Sequence, residues 1–526
     1  MHDVLAAAER TPAASALTAR GRTWSYRELA RRIRTIAARL QAEGLAPGER
    51  VLFSVRPGPD AVALALGIVA ARGTVVFGDP GAGEALVRAR AQLAAPRWVA
   101  AESLLHLASS RPVRGLARRR GIELPPYARL VPEARHFYAG PWLPGVPAGA
   151  IPLRRLAAPR GPDDGPPVPP GSPDDPALVV FTSGTTDAPK AVVHTRGSLG
   201  AGLGDFAAGV GIRPGLEVLT DQLMVGVPAL IGGAHWTMPA PGLDPGARPG
   251  AYLAHLGGAE LLFASPATLD AILSELDARP ELTPRLGTIV LGGAPVLPPL
   301  LRRAYARFPG VRIRAVYGMT EILPVAIADG REKLAAALAG ADGDPVGRLV
   351  PSVRARVDGG ELVLAGPGLA RGYLAELPGN PLTELRTGDL ATLDGEQLVL
   401  RGRAKDMFIR GTQNVYPGLY EPLIAALPGV ADAALAGVPD AIGDERIVVA
   451  LVPAEAPPSA PTAQHPLVGA VARRLPGLVD AGVLPDAIVA VPGLPRAGRS
   501  RKLDRDALRV TLAPFARDAD TKEETA

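Results

Sequence analysis

The sequence predicts an α/β protein built from more than one domain. Three observations carry that expectation. At 526 residues and 47% hydrophobic content, the chain exceeds what one compact core ordinarily holds. Its early part alternates strand-sized and helix-sized apolar segments, the pattern of parallel strands joined by crossover helices. From Arg354 the texture changes to short strand candidates separated by turns, followed by a smaller α+β unit.

In chain order, Ser25 is placed to cap a helix whose apolar positions Leu29, Ile33, Ile36 and Leu40 recur at helical spacing. Gly44 stands just beyond its end, where a left-handed residue closes many helices. A strand is expected over 51–55. An apolar helix begins at Asp60, and Gly73 leads into a second strand, Thr74–Phe77. The apolar run 61–71 is too short to span a bilayer and stops at Arg72. Residues 78–83 read as a turn, and 159–176, rich in Pro, Gly and Asp, as an exposed connector. Later come helix candidates over 198–210 and 266–276. Strands are expected over 260–264, 288–291 and 312–316, then over 354–357, 361–364 and 398–400. In the last part strands are expected over 433–437, 446–453 and 487–491, with a loop at 457–461.

Composition narrows the function classes. The 57 basic and 52 acidic residues leave a net charge of +5, and the densest basic run, 111–120, has no interleaved aromatics on which bases could stack. Nucleic acid is therefore not an expected partner. Cysteine is absent, which leaves no disulfide and no thiolate metal site and fits a reducing cytoplasm. No charged segment followed by an apolar run opens the chain, so no secretory signal is expected.

The stretch on which a functional reading centres is 179–195, VVFTSGTTDAPKAVVHT. A short apolar strand leads into a loop from Thr182 to Lys190, and a second apolar strand returns through Ala191 to His194. Glycine lets such a loop turn so that backbone N–H groups converge on an anion. The hydroxyls of Thr182, Ser183, Thr185 and Thr186 add donors beside Gly184, and Lys190 adds a mobile positive charge. That set suits a polyphosphate, although it lacks the G-x-x-x-x-G-K-[ST] pattern. Two later strand candidates end in small and polar residues, Gly292-Gly293-Ala294-Pro295 and Tyr317-Gly318-Met319-Thr320-Glu321. Ligands of open α/β sheets favour such carboxyl ends.

The 182–190 loop resembles the phosphate-binding loop of the adenylate-forming superfamily, which includes acyl-CoA synthetases. Further motifs follow in that family's order, so the resemblance covers almost the whole chain. It departs where Asp187 and Ala191 replace glycines. The resemblance implies a large multi-sheet α/β domain with a small β subdomain, residues 1–402. A small mobile α+β domain, 403–526, would carry the catalytic lysine. It implies that Gly292, Gly293, Ala294 and Pro295 line the adenine edge. Tyr317, with Gly318 and Met319, would stack on the base, Thr320 would donate to the α-phosphate, and Glu321 would be the magnesium ligand. A carboxylate is the hard oxygen donor Mg2+ prefers. Asp389 would accept from the ribose hydroxyls, Arg403 would reach the ribose or phosphate, and Lys405 would be the hinge. Near the end, PRAGRSRKLDRDALR (495–509) is similar to the segment that carries the catalytic lysine, which makes Lys502 the candidate. Arg501 replaces the usual glycine, and Arg499 and Arg501 are alternatives for the role.

The activity so implied is ATP-dependent conversion of a carboxylic acid, fatty or other organic, to an acyl adenylate with release of pyrophosphate. Transfer to coenzyme A, past Gly411, would follow. The segment 409–417 looks most like acyl-CoA synthetases, whereas the region 221–228 lacks the histidine motif common among relatives. Candidate pocket residues are Met224, Val225 and Trp236. Three other readings stay open: β-lactone formation from a 3-hydroxy acyl adenylate, loading of a separate carrier protein, and a nucleotide-binding relative without catalysis.

Overall fold

The computed structural model describes residues 2–80, 84–119, 124–158, 168, 171–182, 190–243, 245–282, 284–339, 343–403, 406, 408–410, 413–415, 417–439, 445–479, 483–497 and 502–517. Among them lie two large sheets, a three-stranded one and two two-stranded ones.

The helix Tyr26–Ala42 forms as the sequence predicts. Ser25 and Glu28 make a reciprocal capping box, with the Ser25 side chain accepting from the Glu28 N–H and Glu28 accepting from the Ser25 N–H. At the other end Gly44, at φ +93°, donates to Gln41 O, and Leu45 donates to Leu40 O. Those two hydrogen bonds close the helix and bring together two buried leucines. Leu29, Ile33, Ile36 and Leu40 are fully buried. Their stripe packs on Pro59–Ala70, a helix apolar on nearly every side. The approach needs Gly67, whose Cβ would lie 2.5 Å from the Ile36 Cγ2. No described helix is long and apolar enough to cross a membrane.

Pro59–Ala70 packs on Thr74–Phe77 of an eight-stranded sheet, while Tyr26–Ala42 also packs on Ser15–Ala19 and Arg22–Ser25. Arg50–Ser54 runs parallel to Thr74–Phe77 on one side and Trp98–Glu102 on the other, and Thr74–Phe77 runs parallel to Pro176–Thr182. Beyond that the sheet turns antiparallel, first through the hairpin partner Lys190–Thr195 and then through the two-residue strand Gly372–Tyr373. The second sheet has 13 strands. Its middle is parallel, with Glu217–Leu219, Leu261–Ala264, Thr288–Gly292 and Arg312–Met319 side by side. From Arg312–Met319 onward it is antiparallel, through Ile322–Asp329, Asp344–Leu349, Gln397–Arg403 and Leu385–Asp394.

Two differences from the sequence reading bear on function. The strand expected over 312–316 continues to Met319, because Ile322–Asp329 folds back antiparallel and takes Tyr317 opposite Ala326. Thr182 and Lys190, read as loop ends, lie within strands and face each other across the ladder. A further hairpin, Ser15–Ala19 with Arg22–Ser25, adds to the edge of the large sheet. The sequence reading took 24–25 only as a lead into the helix. Trp236 is fully buried, its Nε1 donating to Thr220 O at 2.8 Å. Met224 and Val225 pack in the same apolar cluster.

The small C-terminal domain holds a three-stranded sheet, Val430–Pro439, Glu445–Pro453 and Ala487–Ala490. Side chains alternate as the pleat demands. Ala433 and Leu435 join one apolar cluster with Ile424, while Ala434 and Ala436 join another with Leu508 and Leu512. Helices Pro417–Ala425 and Arg505–Arg517 thus cover opposite faces. The fold is mixed α/β, with a large multi-sheet part and a small C-terminal one.

Candidate functional site

The hairpin 176–195 sets Thr182 directly opposite Lys190, which brings the two ends of the intervening loop together. Ser183, Gly184, Thr185, Thr186 and Asp187 lie outside the described residues. Ala191 is a buried strand residue opposite Phe181, a position that makes no demand for glycine. Lys190 itself is exposed, and its Nζ lies 5.4 Å from the centroid of the Tyr373 ring.

Tyr373 reaches that position through backbone pairing. It sits opposite Val192, while Arg371 and Leu374 donate to the carbonyls of Val193 and Ala191, each at 2.8 Å. Its hydroxyl donates to the Glu321 Oε1 at 3.0 Å. Burial, and then the neighbouring Glu321 carboxylate, push the phenol above its ordinary pKa, so it stays protonated and able to donate. The Glu321 carbonyl accepts from Ala370 N at 2.8 Å. One residue earlier, the Thr320 carbonyl accepts from His194 Nε2 at 2.7 Å. A carbonyl can only accept, so this bond assigns the imidazole proton to Nε2. Burial lowers the His194 pKa and favours that neutral form. The Lys190–Thr195 strand thus holds the turn that carries Thr320 and Glu321 through an imidazole and, by way of its edge partner, a phenol.

A second group lies along the same hairpin, 312–329. Gly292 ends its strand opposite Val316, and Gly293 adopts φ +85°, a conformation strained for residues with a Cβ. Ala294 and Pro295 follow, the latter exposed. Tyr317 projects its hydroxyl to the Asp389 Oδ2 at 2.5 Å. Gly318 admits no side chain, since a Cβ would meet the Leu323 Cδ1 at 2.5 Å, and the ladder shifts register between Tyr317 and Met319. Asp389 is buried, and its N–H donates to the Thr387 Oγ1 at 3.0 Å. Gly388, at φ +71°, turns the chain so that its own N–H reaches the Glu361 Oε1. Arg403 faces Asp389 across the ladder of Leu385–Asp394 and Gln397–Arg403.

Lys190, Thr320 and Glu321 therefore stand together, as do Tyr317, Asp389 and Arg403, and the 312–329 hairpin belongs to both groups. Lys502 belongs to neither. It is exposed in the strand Lys502–Leu503, opposite Ala497. Lys405, Gly411, Arg499 and Arg501 lie outside the described residues. A cavity of about 270 Å3 lined by Val131, Glu133, His136 and Ile151 lies elsewhere, against the eight-stranded sheet.

Chemically, the first group offers a cation, a half-buried carboxylate and a phenol donor. Among the described residues no three His, Asp or Glu side chains cluster as a metal cage. A single carboxylate is what Mg2+ needs when phosphates and water supply its other ligands, so Glu321 fits such an ion. The second group offers an aromatic hydroxyl and a buried carboxylate suited to a diol. Sequence reasoning missed Tyr373 and His194. Each has its partner far along the chain, and neither sits in a local pattern of recognisable chemistry.

Comparison with known proteins gives the family. The AMP-binding enzyme family model matches residues 4–374, and that of the AMP-binding enzyme C-terminal domain matches 420–502. A feruloyl-CoA synthase from Amycolatopsis sp is 30% identical over 478 residues, covering 85% of this chain and 87% of that protein. A fatty acid–[acyl-carrier-protein] ligase from Streptomyces coeruleorubidus is 27% identical over 492 residues, covering 87% of each. The crystal structure of apo MatB from Rhodopseudomonas palustris shares the fold at TM-score 0.75 and 23% identity, covering 98% of this chain and 99% of that one. With the family models spanning most of its length, the chain belongs to the AMP-binding enzymes, the adenylate-forming superfamily, and stands close to the acyl-CoA synthetases.

Proposed function

We propose that the protein joins a carboxylic acid to ATP, forming an acyl adenylate and pyrophosphate, and then passes the acyl group to the thiol of coenzyme A. In the first step a carboxylate oxygen attacks the α-phosphorus and the bond to the β-phosphate oxygen breaks. In the second the thiolate attacks the acyl carbon and AMP leaves. Both partners of the first step are anions, so the catalyst's task is alignment and charge neutralisation.

The observation that carries this reading is the joining of Lys190 to Glu321 through Tyr373, beside the Tyr317–Asp389 pair. Lys190 and the Thr182–Lys190 loop would hold the β- and γ-phosphates, and Thr320 the α-phosphate. Glu321 would hold magnesium, which when bound supplies positive charge against the phosphates. Tyr317 and the Gly292–Pro295 segment would take the adenine, with Asp389 and Arg403 on the ribose. Lys502 would complete the site from the C-terminal domain, with the boundary at 403 and the hinge at Lys405. Coenzyme A is the acceptor favoured by the feruloyl-CoA synthase relative, and a carrier protein is the alternative that the Streptomyces ligase suggests.

The test is pyrophosphate release across a panel of carboxylic acids, with and without coenzyme A, followed by the product's mass. An acid-dependent burst and a CoA thioester support the proposal. Adenylation with AMP release but no thioester overturns the acceptor, and ATP binding without pyrophosphate release from any acid overturns the activity.

A further inference from the structure

We propose that Tyr373 is a positioning residue that sets the metal-binding carboxylate and the phosphate-binding lysine as one unit. The inference rests on the reading of Glu321 and Lys190 given above, and goes beyond it in assigning the residue that aligns them.

Glu321 lies at the turn between Arg312–Met319 and Ile322–Asp329, where a half-exposed carboxylate has several rotamers open to it. Two contacts restrict it. Its carbonyl is fixed by the Ala370 N–H, and its Oε1 by the Tyr373 hydroxyl at 3.0 Å. Tyr373 is in turn fixed by the sheet, since the residues on either side of Gly372–Tyr373 donate to the Lys190–Thr195 strand at 2.8 Å. Backbone pairing therefore fixes the base of the side chain, and the bond to Glu321 holds its hydroxyl. The same strand begins with Lys190, whose ammonium lies over the face of the same ring. One side chain thus serves two groups by two different atoms: the hydroxyl aims the carboxylate, and the ring guides the cation. Such outer partners of a metal ligand typically affect metal affinity without touching the ion.

Because the two roles use different atoms, two substitutions separate them. Tyr373→Phe removes the hydroxyl and keeps the ring, whereas Tyr373→Leu removes both. The measurement is calorimetric binding of a non-hydrolysable ATP analogue to the full chain at graded Mg2+, alongside the Mg2+ dependence of pyrophosphate release. Tyr373→Phe is expected to raise the Mg2+ concentration for half-saturation about tenfold. Nucleotide affinity at saturating Mg2+ should stay within about twofold. Tyr373→Leu should add a loss of about threefold in nucleotide affinity, the worth of the ring contact with Lys190. An unchanged Mg2+ dependence in Tyr373→Phe overturns the inference. If the leucine variant does not fold, Lys190→Met replaces it: it should cost nucleotide affinity while leaving the Mg2+ midpoint within about twofold, and a shifted midpoint overturns the separation of roles. Glu321→Gln keeps the two readings apart. If it leaves the Mg2+ dependence unaltered, the assignment of Glu321 as metal ligand fails; if it abolishes that dependence while Tyr373→Phe does nothing, only the present inference fails.

Discussion

Asp389 is a buried carboxylate on which several bonds depend. Its Oδ2 accepts from Tyr317 at 2.5 Å and its N–H donates to Thr387, so the side chain is held in one orientation. In the proposed reading it then meets a ribose diol. Asp389→Ala is expected to weaken ATP binding by about 1.5–3 kcal/mol, the usual worth of hydrogen bonds to a charged group. Equilibrium binding of ATP measures this, and unchanged affinity would remove Asp389 from the nucleotide site. Lys502 is an exposed residue on a two-residue strand. Lys502→Ala should abolish acid-dependent pyrophosphate release while ATP still binds. Undiminished release would move the role to Arg499 or Arg501. The buried histidines bear on pH. Burial, and secondarily the charge of neighbouring His136, lowers the pKa of His106 to about 4, and burial also lowers His136 and His194. A histidine whose folded pKa is depressed contributes stability above the unfolded value of 6.5 and loses it as pH falls toward the folded value. Denaturant midpoints should therefore decline below that pH, by up to about 1.4 kcal/mol per pH unit for each such histidine. His106→Gln should flatten the decline, and an identical profile in that variant would exclude His106 as a contributor.

Among the elements, the helix Leu223–Ile231 shows how tightly the core is set. Gly226 lies against the indole of Trp236, where a Cβ would come within 2.1 Å of the ring carbon Cε2. Trp236 is fully buried and tied to Thr220, so it has nowhere to go. Gly226→Ala is expected to cost about 3 kcal/mol by overpacking. Thermal melting tests this, and a melting temperature equal to the parent's would show that the helix can shift. Val225 belongs to the same core cluster as Trp236, and Met224 packs against it.

For the whole molecule, the C-terminal domain is joined to the connecting segment by Arg505. Its guanidinium meets both Glu421 oxygens at 2.9 Å, the Leu435 carbonyl at 3.1 Å and the Asp406 carboxylate at 3.3 Å. One cation thereby ties the Arg505–Arg517 helix to Pro417–Ala425, to the Val430–Pro439 strand and to the chain just past Arg403. Removing it strands a largely buried carboxylate, so Arg505→Ala should destabilise this domain by about 3 kcal/mol. Hydrogen exchange over 417–453 would report the loss, and unchanged protection there would show the cluster to be dispensable.

Local chemistry sufficed for much of this protein. The Tyr26–Ala42 helix, with its cap at Ser25 and its stop at Gly44, is written in adjacent residues, because capping and helical periodicity act within a turn or two. The strand–loop–strand of 176–195 and the order of the motifs were legible for the same reason. What the residues alone did not disclose was pairing between distant segments. The antiparallel return of Ile322–Asp329, the edge strand Gly372–Tyr373 against Lys190–Thr195, and the meetings of Tyr373 with Glu321 and Tyr317 with Asp389 each join residues far apart in the chain. Backbone edges carry the same N–H and C=O groups whatever the sequence, so only the folded arrangement decides which edge meets which. The types of group in the candidate site were therefore fixed by sequence, and their alignment by tertiary structure.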